Sequence, residues 1–91
     1  QHDVEGNDLE LRYFRDVDGR EVDFVVVDGK KPILAIECKL SEESADRGIS
    51  YFKTKFPSVE AWQISLNARS HRQTSSGIEL APAAAFLTRL V

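Results

Sequence analysis

Residues 21–40 read EVDFVVVDGKKPILAIECKL, and this stretch decides the fold. Its two ends, Glu21 to Val27 and Ile33 to Leu40, are apolar runs of strand length. Asp28-Gly29 between them is a tight-turn signal, because glycine readily takes the positive φ such turns require. The stretch therefore predicts an antiparallel hairpin. Strict alternation puts Val22, Phe24 and Val26 on one face of the first strand, and Glu21, Asp23, Val25 and Val27 on the other. On the second strand Leu34, Ile36, Cys38 and Leu40 share a face, opposite Ile33, Ala35, Glu37 and Lys39. Cys38 is thus expected to be a small core residue rather than a nucleophile.

The charges in this hairpin need an explanation, since burying unpaired charge in a middle strand is costly. A tight turn sets Asp23 level with Lys31 to Ile36. A bulge, or a longer turn through Lys30 to Pro32, brings it beside Glu37. Two carboxylates that close repel unless one is protonated or a cation lies between them. Hard oxygen ligands with room for water suit Mg²⁺, and a lysine beside the ion can orient water and stabilise charge on a phosphate. The plain alternative is that Glu37 and Lys39 form a surface ion pair of little energetic worth.

Upstream, Leu9 to Phe14 alternates as a strand, and Asp18-Gly19 repeats the turn signal, so the chain opens as a three-stranded meander. Gln1 to Asp8 is polar and reads as a disordered lead-in. Downstream, Ala45, Ile49, Phe52 and Phe56 recur at helical spacing. Ser41 is the expected cap, Glu42 and Glu43 suit the positive end, Lys53 and Lys55 the negative end, and Pro57 marks the stop. Val59 to Leu66 reads as a fourth strand. A helical crossover makes it a parallel neighbour of the third. Asn67 to Gly77 reads as an exposed loop carrying Arg69, His71 and Arg72. Ile78 to Leu80 is expected as a short edge strand. Pro82 opens a last helix with Phe86, Leu87 and Leu90 facing the core. The predicted fold class is α/β (α+β): a mixed sheet with a β-β-β-α-β core, a short further strand and a C-terminal helix.

The bulk composition bounds the function. With 91 residues, 42% of them hydrophobic and 30% charged, the expectation is one small domain, residues 9–91. No apolar run is long enough for a membrane helix. One cysteine excludes an internal disulfide framework and suits a reducing cytoplasm. A net charge of −3 gives no global attraction to nucleic acid, so phosphate contacts would fall to Arg69, Arg72 and Lys53, or to bound metal. His2 and His71 lack metal-site spacing.

An aspartate on one strand in Glu21-Val22-Asp23-Phe24, then Ile36-Glu37-Cys38-Lys39-Leu40 on the next, then a helix and a parallel strand, resembles the PD-(D/E)XK nuclease superfamily. The segments YFRDVDGREVDFVV, ILAIECKLS, ISYFKTKFP and IELAPAAAFLTRL more closely resemble the C-terminal domain of unknown function on prokaryotic AAA-family ATPases. The likeness runs from Leu9 onward. It implies a restriction-endonuclease-like sheet and Mg²⁺- or Mn²⁺-dependent hydrolysis of DNA. Asp23, Glu37 and the Cys38 backbone carbonyl would be metal ligands, and Lys39 the catalytic lysine. It also implies that the chain is a fragment of a longer ATPase, that ATP binds only to the ATPase part, and that this part is a partner. Two features depart from the pattern: no acidic helix precedes Leu9, and Arg47 stands one turn before Tyr51 where some relatives carry glutamine. The fragment alone is therefore expected to be inactive. The alternatives are a catalytically silent nuclease-like module that binds DNA or protein and regulates the ATPase, and an interaction domain that oligomerises through its sheet edge.

Overall fold

The computed structural model describes residues 9–40 and 44–90. The expectations for Gln1 to Asp8 and for Ser41, Glu42 and Glu43 fall outside them. The fold is mixed α+β. Strands β1 (Leu9–Arg15), β2 (Glu21–Asp28) and β3 (Lys31–Lys39) form the meander. Helix α1 (Arg47–Lys55) then crosses to β4 (Glu60–Ser65), which β5 (Arg72–Gln73), β6 (Ile78–Ala81) and helix α2 (Ala83–Leu90) follow. One six-stranded sheet runs in the order β1-β2-β3-β4-β6-β5. The meander is antiparallel, and β4 lies parallel beside β3, as the helical crossover requires.

Each face of the sheet has its own core. Val22, Val25, Ala35, Ala61, Ile78 and Leu80 pack under Ile49 and Phe52 of α1, with Phe14 and Phe56 at the margin. On the other face Trp62 and Ala81 pack against Phe86 of α2, with Leu34, Ile36 and Ile64 partly buried around them.

Several expectations need correction. Helix α1 begins at Arg47 and its cap is Asp46, whose carboxylate accepts from the Gly48 amide at 2.9 Å; Asp is as good a cap as the Ser41 the sequence offered. Strict alternation fails in β2. Arg12 pairs with Val25 but Phe14 with Val22, so β2 carries an extra residue there, and Val22 joins Val25 and Val27 on the α1 face while Phe24 is exposed. Ile78–Ala81 is not at the sheet edge, because β5, within the expected loop, pairs outside it. Cys38 is exposed: it lies beyond Ile36, the last residue of its face that packs on the α2 core. On the last helix only Phe86 is buried, and Leu87 and Leu90 are exposed.

Candidate functional site

The hairpin register decides whether the charged residues meet. Val26 faces Leu34 but Val27 faces Pro32, a one-residue slip that makes a bulge at Ile33. The slip brings Phe24 opposite Ile36 and so sets Asp23 level with Glu37, the outcome that a bulge was expected to give. Beyond Phe24 the ladder gives way to side-chain bonds. The Asp23 amide donates to Glu37 Oε1 at 3.0 Å, and the Cys38 amide donates to Asp23 Oδ2 at 3.0 Å. Each carboxylate thus accepts with one oxygen from an amide of the opposite strand, through Glu37 Oε1 and Asp23 Oδ2.

Glu37 is buried among these groups. Burial first, then the charge of Asp23, and further down Asp46, push its carboxyl up to about 7, against the Asp23 amide and Lys39, which act the other way. The amine of Lys39 lies 3.8 Å from Glu37 Oε2 and 2.8 Å from Asp46 Oδ1. The Asp46 hydrogen bond is the main reason its pKa is raised. Burial opposes ionisation of Asp46, but the bonds from Lys39 and Gly48 outweigh it and lower its pKa.

Asp46 is the cleft residue that the sequence reading did not single out. It is held from beneath by Gln63, which is buried on β4. Gln63 Oε1 accepts from the Asp46 amide at 2.6 Å, and Gln63 Nε2 donates to the Ser44 carbonyl at 3.0 Å. The available signal was an aspartate directly before a helical run, a cap pattern in its own right.

Glu37, Lys39 and Asp46 line a cleft of about 330 Å³, together with Gly19, Arg20, Glu21, Arg47 and Gly48. Gly48 is required there. A Cβ on it would stand 2.1 Å from the Glu21 carbonyl oxygen, so only glycine lets α1 approach β2 this closely. The opposite wall is the turn at 16–20. Arg20 bonds Asp16 at 2.7 Å and Asp18 at 2.9 Å, and its guanidinium lies 3.7 Å from the Tyr51 ring centroid. Arg47 donates to the Asp18 carbonyl at 2.6 Å.

Asp23 is not part of the cleft lining; it flanks Glu37 from the rim, bonded to the Cys38 amide. Among the described residues no three His, Cys, Asp or Glu side chains converge as a metal group. Asp23 and Glu37 bring two carboxylates together across the hairpin, one fewer than such a group requires. The expected nucleic-acid contacts lie elsewhere. Arg69 is exposed in the connection that leaves the same end of β4. Arg72 pairs with Leu80 at the level of Gln63 and Glu37, three strands from Glu37, or roughly 14 Å at ordinary strand spacing. Lys53 donates to the carbonyls of Pro57 and Val59, at the end of α1 far from the cleft.

A family model for a domain of unknown function, DUF4143, matches residues 1–86. The chain belongs to the DUF4143 family. No curated protein and no solved structure matches this DUF4143 domain. Within its described residues no helix is long and apolar enough to cross a membrane.

Proposed function

We propose that this DUF4143 domain is a PD-(D/E)XK-type nuclease module, appended to an AAA-family ATPase, that hydrolyses DNA phosphodiester bonds with Mg²⁺ or Mn²⁺. The observation that carries the reading is the pairing of Asp23 with Glu37 across the β2–β3 hairpin, with Lys39 beside them at a polar cleft. A carboxyl pushed up to about 7 by burial and a neighbouring carboxylate is a site short of positive charge, which a dication would supply. Asp23, Glu37 and the Cys38 carbonyl would hold the ion, and its chemistry there would be to polarise a phosphate and a bound water. Lys39 then stands where its ammonium can orient the water or stabilise the developing charge.

The second reading, a silent module that binds DNA or protein and regulates the ATPase, is favoured by one observation: the ammonium of Lys39 is ion-paired with Asp46 at 2.8 Å. The two readings separate in one assay. Full-length protein is incubated with plasmid and single-stranded DNA in Mg²⁺ and in Mn²⁺, beside Lys39→Ala and Asp46→Asn variants. Cleavage that disappears in Lys39→Ala supports the nuclease. Absence of cleavage in the wild type and in Asp46→Asn, with DNA binding retained, supports the silent module.

A further inference from the structure

The two edges of the sheet are unlike. β5 has two residues, too short a template for another strand. Among the described residues β1 is a seven-residue edge strand, LELRYFR, with no proline. Leu9, Leu11 and Tyr13 on it are exposed, as is Phe24 on the neighbouring strand. Because Leu11 faces Val26 and Arg12 faces Val25, which packs under α1, Leu11 and its alternates lie on the opposite face, and Arg12 and Glu10 on the α1 face.

From this edge we infer that β1 pairs antiparallel with β1 of a second copy of the chain, about a twofold axis at Leu11, so that two sheets join into one. The charge order selects the register. A twofold perpendicular to the sheet must pass through a residue, or the pleats of the two strands conflict. An axis at Glu10 sets Glu10 against its own copy, and an axis at Arg12 sets arginine against arginine. An axis at Tyr13 sets Arg12 against Phe14 and Leu11 against Arg15. Only the axis at Leu11 matches every pair within 9–13: Glu10 meets Arg12 of the second copy twice, Leu9 meets Tyr13 twice, and Leu11 meets itself. Directly opposed pairs of this kind are what stabilise a sheet, and like charges there oppose it. Glu10 and Arg12 are already ion-paired within the strand, and pairing would exchange that contact for its equivalent across the interface. Charges on an edge strand ordinarily keep strands apart; here their order makes the edge complementary to itself.

The test is charge reversal read by sedimentation velocity over a wide concentration range. The wild type is expected to dimerise. Glu10→Arg should weaken the dimer roughly tenfold or more, since it makes two like-charge contacts by symmetry. The double variant Glu10→Arg/Arg12→Glu should restore it. In a Cys38→Ser background, Leu11→Cys should form an intermolecular disulfide on mild oxidation, because its Cβ faces its own copy about 5 Å away. Tyr13→Cys should not. A wild type monomeric throughout, failure of the double variant to recover, or crosslinking through Tyr13→Cys in preference to Leu11→Cys would each overturn the inference.

Discussion

At Glu37 burial and the neighbouring charge of Asp23 both work against an ionised carboxylate. Its carboxyl is pushed up to about 7 from an ordinary value near 4.3, so the folded state holds a proton that the unfolded chain has lost. Stability therefore falls as pH rises from about 4.5 to 7 and stays reduced above that. Glu37→Gln removes the charge and keeps the shape. The variant should match the wild type at pH 4 and exceed it at pH 8 by on the order of 2–3 kcal/mol, read by urea denaturation without divalent cation. Equal stabilities at both pH values would mean that Glu37 is not electrostatically strained. Asp46 behaves in the opposite sense: its lowered pKa gives stability that is present at neutral pH and lost as pH falls through its folded value. Asp46→Asn keeps a good cap but loses the Lys39 pair, so its cost should be under about 1 kcal/mol and its main effect should fall on Lys39.

At the scale of elements, the cleft exists because α1 touches β2 at Gly48. Gly48→Ala would force a methyl into the Glu21 backbone, and we expect a loss of about 3 kcal/mol or more, with α1 displaced from the cleft wall. Ala at an ordinary helical glycine would instead stabilise, so the sign of the change in thermal midpoint decides. Gln63→Ala should also destabilise, by about 1–3 kcal/mol, because it strands the Asp46 amide and the Ser44 carbonyl. Most of this framework was legible in the sequence. Asp28-Gly29, the apolar spacing of Ile49, Phe52 and Phe56, and the strand-forming run after Pro57 named the elements and the parallel crossover. What was not legible depended on neighbours. The β2 bulge that turns Val22 inward reflects pairing with β1, not any residue of β2 itself. Cys38 is exposed because on β3 the α2 core reaches only as far as Ile36, while at Cys38's own level it takes in Ile64 of β4. Leu87 and Leu90 share a helical face that stays more than half exposed among the described residues. Asp46 was overlooked because Ser41 offered an equally good cap earlier in the chain.

Across the whole molecule, positive charge is dispersed while the site is acidic, in keeping with the net charge of −3. Arg47 lines the cleft and Arg69 lies at the same end of the sheet, whereas Lys53 fastens the far end of α1. If DNA follows the rim of the sheet, Arg47→Ala and Arg69→Ala should each lower affinity and reduce the salt slope by about one, while Lys53→Ala should lower stability and leave the slope unchanged. A slope that responds to Lys53 alone would place the DNA path on the other end of α1. The nuclease reading requires that Asp23 and Glu37 form a divalent-cation centre. The most direct measurement is calorimetric titration of the full-length protein with Mn²⁺ at pH 6 and pH 8, beside Glu37→Ala and with nucleotide absent. The expected result is a Mn²⁺ site that binds more tightly at pH 8, releases a proton near pH 6 as Glu37 ionises, and is lost in Glu37→Ala. Binding that is absent at both pH values, or that survives Glu37→Ala unchanged, would contradict it.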